Sequence, residues 1–254
     1  MTYNIKIIIS SIVISIVAFG LVGCSADNKK ASVKIEESIV KAQSEDKETK
    51  NIKEYSKELS LYFPQKDMKE FHYSGTAEYG EVIKLNKVTG SKNNLILQFK
   101  GEIKNEAEKD EGPARSKFQF EKEYTINNDS VLEVQKNGEM KKRHAAIEKS
   151  TVLKLPIKKG NLWEEEVVFK EKNYKAVTTI LEVSKDKDHK KLVKTETVIK
   201  GAGGYPEKIY KEIKIYKEGK GLLEFNNTIL LGGGNGEGVT PMQFGYKQIE
   251  VDNK

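Results

Sequence analysis

The chain has 254 residues, of which 32% are charged and 37% hydrophobic, and it contains a single cysteine. One cysteine excludes an internal disulfide framework and every zinc or iron–sulfur site built from several cysteines. The formal net charge of +6 is modest and spread along the chain, which does not predict a nucleic-acid partner.

The first 23 residues form a long apolar run. Lys6 is the only charged residue among them, and no charge interrupts residues 7–23. A basic start, an apolar centre and a small-residue end are typical of a secretory signal peptide. The alternative is a transmembrane helix, because the run reaches the lower limit of about 17 residues for a span.

The run ends in Leu21-Val22-Gly23-Cys24, which resembles the lipobox of bacterial lipoproteins. The resemblance implies transfer of a diacylglyceryl group to the Cys24 thiol and cleavage between Gly23 and Cys24. Two acyl chains give stable anchoring, at about 0.8 kcal/mol per buried methylene. We therefore expect residues 1–23 to be a lipoprotein signal peptide, and the protein to be lipid-anchored at the extracytoplasmic face of the cell membrane.

Residues 24–58 are predicted to be the lipidated cysteine followed by a polar tether. Residues 25–58 contain eight Lys, eight Asp or Glu, and neither Pro nor Gly. Such a balanced, weakly apolar composition is typical of a solvated linker. Ile35 and Ile39 have helical spacing, so a partner-binding helix is the alternative.

From Leu59 onward, apolar and polar residues alternate, as in half-buried antiparallel strands. The alternating sets are Phe118, Phe120, Tyr124 and Ile126; Leu95, Leu97, Phe99 and Ile103; Val177, Thr179, Leu181 and Val183; and Ile209, Ile213 and Ile215. We predict that residues 59–254 form an all-β domain. About twelve antiparallel strands would build a curved sheet, an open barrel or a sandwich.

An internal repeat is indicated at a displacement of 92 residues. Pro64 and Phe71 are seven apart, as are Pro156 and Trp163, and Tyr124 falls on Tyr216 at the same displacement. The pattern predicts duplicated six-strand halves at 59–140 and 150–230, with a C-terminal strand at 242–251. Chance coincidence in a chain rich in Lys, Glu and Ile is the alternative.

The segments 62–64, 155–163 and 216–223 carry the phrases YFP, LPIKKGNLW and YKEGKGLL. They resemble uncharacterised lipoproteins of Gram-positive bacteria, in which such phrases frame a curved β-sheet. The first copy departs from that pattern, with Lys66-Asp67-Met68 where Lys-Gly-Asn is expected. The resemblance implies an envelope lipoprotein and carries no catalytic residue with it.

Three features could carry chemistry, and each also has a structural interpretation. Glu164 and Glu166 could serve a hydrolase together with His144 or His72, or they could be solvated charges on a strand. His189 lies in a polar turn that lacks the Gly and final Glu of a calcium loop. The Gly-rich segment 231–238 lacks the Lys-Ser/Thr of a phosphate loop, which favours a connector between strands.

No catalytic residue, metal or cofactor is therefore predicted. Aromatic residues on a concave sheet could hold an acyl chain or another apolar molecule, and the predicted ligand-binding residues are Phe71, Tyr73, Trp163 and Tyr216. The predicted function is a non-enzymatic binding protein for an apolar ligand or an envelope component. The alternative is a structural or interaction module that contacts anionic cell-wall polymers or a partner protein, and a hydrolase is the least favoured.

Overall fold

The computed structural model describes residues 54–65, 70–104, 118–136, 146–232 and 238–250. The predicted signal peptide with Gly23, Cys24 and most of the predicted tether lie outside these ranges. His144 and residues 233–237 of the Gly-rich segment also lie outside them.

Twelve strands follow a short helix, α1 (Lys57–Ser60), in the described ranges. They are β1 (Glu70–Gly75), β2 (Gly80–Gly90), β3 (Leu95–Lys104), β4 (Gln119–Ile126), β5 (Ser130–Lys136), β6 (Lys149–Lys154), β7 (Leu162–Phe169), β8 (Lys172–Lys185), β9 (Lys191–Lys200), β10 (Ile209–Lys217), β11 (Gly221–Leu231) and β12 (Thr240–Ile249). Single 3₁₀ turns lie at Thr76–Glu78 and Pro206–Lys208. The predicted strand at 242–251 corresponds to β12.

All twelve strands belong to one antiparallel sheet, in the order β6-β5-β4-β3-β2-β1-β12-β11-β10-β9-β8-β7. The ladder between β1 and β12, which pairs His72 with Ile249, joins strands distant in sequence, whereas the other ladders join consecutive strands. The outer strands β6 and β7 approach each other, with a bridge between Ile147 and Phe169. The sheet is thus a nearly closed barrel, and the all-β prediction with twelve strands is confirmed.

Because the sheet is a meander, its hairpin connections alternate between two ends of the barrel. The β2–β3, β4–β5, β6–β7, β8–β9 and β10–β11 turns share one end with α1, which we call the α1 end. The β1–β2, β7–β8 and β9–β10 turns lie at the opposite end, which we call the far end.

Residues 54–65 close the α1 end. The Ser56 hydroxyl accepts a hydrogen bond from the backbone N–H of Leu59 (3.1 Å) and caps the helix. Leu59, Tyr62 and Phe63 are buried, and the Phe63 ring lies 4.7 Å from that of Tyr124, measured between centroids. The described part of the predicted tether, residues 54–58, is therefore attached to the barrel.

The inward face was predicted correctly for β3 and β4 and wrongly for β8 and β10. Leu97 and Phe99 of β3 are buried, as are Phe120, Tyr124 and Ile126 of β4. In β8 the buried residues are Ala176, Thr178 and Ile180, and in β10 they are Tyr210, Glu212, Lys214 and Tyr216. The half-buried Ile213 and Ile215 occupy the outer face.

The outer isoleucines have long polar neighbours. Ile213 is paired across the sheet with Glu196, and Ile215 with Lys194 and Glu224. Long polar side chains can cover apolar surface with their methylene stems, which accounts for the half-burial of these isoleucines on the outer face.

Two clusters of buried apolar residues fill the interior. The main cluster occupies the α1 end and the β12–β1–β2 wall, and includes Leu59, Tyr62, Phe63, Phe71, Tyr73, Tyr79, Leu97, Phe99, Tyr124, Trp163, Tyr216, Phe225 and Tyr246. The far-end cluster is smaller and consists of Ile147, Val167, Phe169, Ala176, Ile199, Ala202, Tyr205 and Tyr210.

Strand positions follow the displacement noted in the sequence. β1 and β7 begin 92 residues apart, and so do β2 and β8. Strands β1–β6 and β7–β12 each form a continuous meander of six strands. The duplication itself stays a prediction, since strand spacing alone does not establish descent from one unit.

None of the helices in the described ranges has the length and apolar character that crossing a membrane would require.

Candidate functional site: charged side chains inside the barrel

The four residues predicted to hold an apolar ligand all lie in the main cluster. Phe71 and Tyr73 are on β1, Trp163 on β7 and Tyr216 on β10, and all four are buried. The Tyr73 hydroxyl and the Trp163 indole donate to backbone carbonyls at 2.9 and 3.0 Å. The Tyr216 hydroxyl has no hydrogen-bond partner in the part of the chain that the structure describes. These residues form part of the core, and their binding of a ligand stays a prediction.

Five charged side chains of the described residues are also buried in the interior, and we call them the polar layer: Glu81, Lys122, Glu133, Glu212 and Lys214. They occupy inward positions of β2, β4, β5 and β10. Tyrosines connect the layer to both apolar clusters. Glu81 accepts a hydrogen bond from Tyr79 of the main cluster, and Glu212 accepts one from Tyr210 of the far-end cluster. The charges therefore lie beside both apolar clusters.

Lys214 forms two ion pairs in the polar layer. Its Nζ lies 2.8 Å from Oε1 of Glu133 and 3.2 Å from Oε1 of Glu212. Strands β5 and β10 are separated by six strands in the sheet order, so the pair between Glu133 and Lys214 crosses the barrel interior. This contact connects the two six-strand meanders.

The ion pairs keep Glu133 and Lys214 ionised although both side chains are buried. Burial opposes ionisation of Glu133, but the charges of Lys214 and Lys122 outweigh it and lower the pKa of Glu133 to about 2. Burial likewise opposes the charged form of Lys214, but Glu133 and Glu212 raise its pKa above the ordinary value. Both partners are thus charged at neutral pH.

Lys122 is the second buried cation. Its charge acts to lower the pKa values of Glu81 and Glu133, and its Nζ lies 5.9 Å from the centre of the Phe120 ring. Lys122 and Lys214 are 92 residues apart, and each precedes a buried tyrosine by two positions. Equivalent strands of the two meanders therefore place a lysine at the same inward position.

Glu81 has a different environment, although it is only 1% exposed. The Tyr79 hydroxyl donates a hydrogen bond to Oε2 of Glu81, while Oε1 has no hydrogen-bond partner among the described residues. Burial raises the pKa of Glu81, against the opposing effects of Lys122 and Tyr79. Glu81 therefore binds a proton more readily than an exposed glutamate does.

A hydrogen-bonded chain connects the layer to the far-end cluster. The Tyr210 hydroxyl donates to Oε2 of Glu212 (2.8 Å) and accepts from the side-chain amide of Asn227 (3.2 Å). Nearby on the inward face, the Thr178 and Thr197 hydroxyls share a hydrogen bond of 2.9 Å. The Tyr210 hydrogen bond holds Glu212 in position for its ion pair with Lys214.

The layer can bind polar groups at fixed positions. The layer combines the carboxyl groups of Glu81, Glu133 and Glu212 with the amino groups of Lys122 and Lys214. No described residue forms a hydrogen bond with Oε1 of Glu81 or with the Tyr216 hydroxyl. Since buried polar atoms are rarely left unpaired, they could bind internal water or the polar group of a ligand.

The β6–β7 seam is closed by side chains. Oε1 of Glu165 accepts from the backbone N–H of Thr151 (2.7 Å), and the Trp163 indole donates to the carbonyl of the same residue (3.0 Å). The Asn161 amide donates to the carbonyl of Lys154 (2.9 Å). These side-chain contacts join β6 to β7 at the position where a regular barrel would have a ladder of backbone hydrogen bonds.

The described members of the hydrolase constellation are dispersed. Glu164 and Glu166 are exposed on the outer face of β7, where Glu164 pairs with Lys175. His72 is on β1 and pairs with Glu70 at 2.9 Å, and β1 stands six strands from β7 in the sheet order. His144 lies outside the described residues, so a catalytic role for the full set stays untested.

The remaining residues that were considered for a chemical role lie in turns or outside the described ranges. His189 is exposed in the β8–β9 turn, where Oδ1 of Asp186 accepts from two backbone N–H groups. Among the described residues, no group of three His, Cys, Asp or Glu side chains could hold a metal. The ends of the Gly-rich segment connect β11 to β12, while Gly23 and Cys24 fall outside the described ranges.

Sequence reasoning missed the polar layer and Glu165. Lysines and glutamates in alternating strands are normally assigned to the wet face, because an unpaired buried charge is costly. One signal was available: at the displacement of 92, Lys122 falls on Lys214 just as Tyr124 falls on Tyr216. A pair of matched lysines beside matched buried tyrosines would have indicated an inward position.

No model of a known protein family matches the chain, and no protein with a curated description matches it. One similar solved structure, from Parabacteroides distasonis ATCC 8503, is described as a "putative lipoprotein". It has a TM-score of 0.41 and 10% identity, covering 73% of this chain and 95% of that chain.

A second solved structure, from Bacteroides fragilis NCTC 9343, is described as a "putative exported protein with YmcC-like fold". It has a TM-score of 0.42 and 9% identity, covering 74% of this chain and 97% of that chain. At this level of similarity, the two proteins say nothing about the function of this chain.

Proposed function

We propose that the chain is an exported lipoprotein, lipidated on Cys24, whose barrel is a non-enzymatic binding protein at the extracytoplasmic face of the membrane. The apolar run of residues 7–23 and the sequence Leu21-Val22-Gly23-Cys24 support export and lipidation. About 30 residues separate Cys24 from the first described residue, Glu54, and they would tether the barrel to the lipid.

The proposed ligand is an apolar molecule with a polar end. The supporting observation is that the aromatic main cluster and the polar layer share one interior, where Oε1 of Glu81 and the Tyr216 hydroxyl have no hydrogen-bond partner within the described ranges. An apolar chain would contact the aromatic residues, and its polar end would bind these two atoms. The seam offers a route, because opening it breaks side-chain contacts rather than a full ladder.

Lipidation is tested by metabolic labelling with a fatty acid. The wild-type chain should incorporate label and lose residues 1–23, whereas Cys24→Ser should do neither. Ser25→Ala, next to the site, is the matched control and should behave as wild type. Normal labelling of the Cys24→Ser variant would overturn the proposed anchor.

Ligand binding is tested with the natural fluorophore, because Trp163 is the only tryptophan and lies buried at the seam. A spin-labelled fatty acid should quench Trp163 saturably, while a water-soluble spin label should not. Tyr216→Phe keeps the ring and removes the unpaired hydroxyl, and should weaken binding about fivefold. Tyr174→Phe, in the far-end region, should leave it unchanged.

Absence of saturable quenching, together with absence of co-purified lipid by mass spectrometry, would overturn an apolar ligand. The second candidate is an interaction module for anionic cell-wall polymers. It is favoured by exposed lysines such as Lys158, Lys159 and Lys220. Retention on purified wall at low salt and release at high salt would support that candidate.

A further inference from the structure

Backbone hydrogen bonds join the turns of the α1 end into one unit. The N–H groups of Tyr55 and Ser56 donate to the β2–β3 and β4–β5 turns at 3.0 and 2.8 Å. The carbonyl of Leu61 accepts from Gly219 in the β10–β11 turn, and Leu155 donates to Asp129, both at 2.8 Å. This end therefore presents a surface of fixed shape.

The surface of the α1 end is cationic. Its residues, at 54–65, 91–94, 127–129, 155–162, 185–191 and 217–220, include ten lysines and six aspartates or glutamates. Eight of these lysines are exposed, with no carboxylate of the described ranges within ion-pair distance: Lys57, Lys158, Lys159, Lys185, Lys187, Lys190, Lys191 and Lys220. Such lysines can meet an anionic surface without breaking an existing pair.

Large apolar side chains accompany these charges. Leu61, directly after α1, is 52% exposed, and Leu162, at the start of β7, is 58% exposed. Pro156 is exposed in the turn that carries Lys158 and Lys159. Exposed leucines beside lysines are the combination that binds at a lipid interface, with the apolar groups below the headgroups and the cations among them.

The chain that leads to Cys24 joins the barrel at this same end. Glu54, the first described residue, pairs with Lys92 of the β2–β3 turn at 3.3 Å. With a lipid on Cys24, the end that receives the tether is the one brought to the membrane. We propose that the α1 end is a membrane-docking surface that lies on anionic lipid; this orientation rests on the proposed lipid anchor.

Vesicle flotation tests the surface without the anchor. The chain from residue 24, carrying Cys24→Ser, should float with vesicles that contain phosphatidylglycerol and stay behind with pure phosphatidylcholine. Each lysine near an anionic surface contributes about fivefold in binding. The triple variant Lys158→Glu/Lys159→Glu/Lys220→Glu should therefore lose a hundredfold or more.

The matched control reverses three exposed lysines near the far end: Lys172→Glu/Lys200→Glu/Lys208→Glu. The fold loss of vesicle affinity in this control should be at least ten times smaller than the fold loss in the α1-end variant. Equal losses would overturn the proposed orientation. No flotation with phosphatidylglycerol, or retention by purified cell-wall polymer in place of vesicles, would overturn the docking surface while leaving the labelling result for Cys24 intact.

Tryptophan reporters on one strand locate the contact. Leu162 and Val168 lie at opposite ends of β7 and are exposed to similar extents, 58% and 53%. On anionic vesicles, Leu162→Trp should show a blue shift of its added emission, and Val168→Trp should show none. A shift for Val168→Trp alone would mean that the far end meets the membrane, and would overturn the proposal.

Discussion

At the residue scale, Lys214 stands out because an ammonium group is held inside the barrel between two carboxylates, Glu133 and Glu212. Removing one partner of a buried ion pair leaves an uncompensated charge, which typically costs 3–5 kcal/mol, whereas the intact pair contributes little net stability. The pair is thus better understood as fixing which strands face each other than as a source of stability.

Replacing Glu133 should remove an acid-dependent part of the stability. Because the pKa of Glu133 falls from 4.5 to about 2 on folding, the unfolded chain binds more protons between these values. The wild type should therefore lose stability as the pH falls from about 4.5 towards 2. Glu133→Gln should lower the free energy of unfolding by about 3–5 kcal/mol at pH 7 and by much less at pH 2.

Urea denaturation as a function of pH checks this expectation. Glu196→Gln, at a half-buried outward position of β9, is the matched control and should follow the wild-type profile. A constant difference between Glu133→Gln and wild type over the whole pH range would contradict the proposed linkage.

Glu81 should produce the opposite slope. Its pKa is raised on folding, so at pH values just above 4.5 the folded chain keeps a proton that the unfolded chain releases. The Glu81 contribution to stability therefore falls as the pH rises from about 4.5 through the raised pKa. Glu81→Gln should gain thermal stability relative to wild type between pH 4 and pH 8.

Thermal denaturation at pH 4, 6 and 8 measures this gain. Glu224→Gln, on the outer half-buried side of β11, provides the control. If the difference in melting temperature between Glu81→Gln and wild type does not grow with pH, then burial does not raise the pKa of Glu81.

At the element scale, the seam differs from every other strand junction because side chains replace its ladder. Trp163→Phe and Glu165→Gln should each weaken a contact to Thr151, by about 1–2 kcal/mol. Amide hydrogen exchange should accelerate in β6 and remain unchanged in β3, which is paired on both sides. Glu164→Gln, one residue away on the outer face, should have no effect on β6.

The faces of strands show what could be predicted from the sequence. In β4 the large apolar residues alternate with charges, and the predicted face is correct apart from Lys122. In β10 the isoleucines lie on one face and the tyrosines on the other, so both faces contain apolar residues. The sequence pattern favoured the isoleucines for the inward face. Both tyrosines lie inside, where the Tyr210 hydroxyl donates to Glu212 and accepts from Asn227 of the neighbouring strand β11, a contact between strands that periodicity does not contain.

At the scale of the whole molecule, the β1–β12 ladder joins the ends of the two meanders. A Cβ atom on Gly75 would collide with the carbonyl oxygen of Gly245 and with Tyr246. Gly75→Ala should therefore separate β1 from β12 and lower the melting temperature by at least 5 °C. Gly203→Ala is the control, because nothing lies within 4 Å of its added Cβ; equal effects would contradict the role of the close approach.

The strand content and the approximate strand positions follow from local alternation and turns, and these were predictable. Barrel closure was not, because it depends on the ladder between the distant strands β1 and β12, and on the side-chain contacts of Trp163 and Glu165 to Thr151 at the seam. The predicted ligand residues Phe71, Tyr73, Trp163 and Tyr216 lie in one buried cluster, and their binding of a ligand stays a prediction. The inward positions of Glu133 and Glu212 could not be predicted, because their partner Lys214 comes within ion-pair distance of both only in the folded barrel.

The meander topology also has a consequence for the order of folding. All ladders except β1–β12 join consecutive strands, so most strand pairing is local in sequence and should form early. The exception pairs residues near position 72 with residues near 249, and it cannot form until β12 is available. Until β12 pairs with it, β1 has an unpaired edge while the other strands assemble. A chain that stops before β12 keeps two unpaired edges, on β1 and β11, which are open to other molecules.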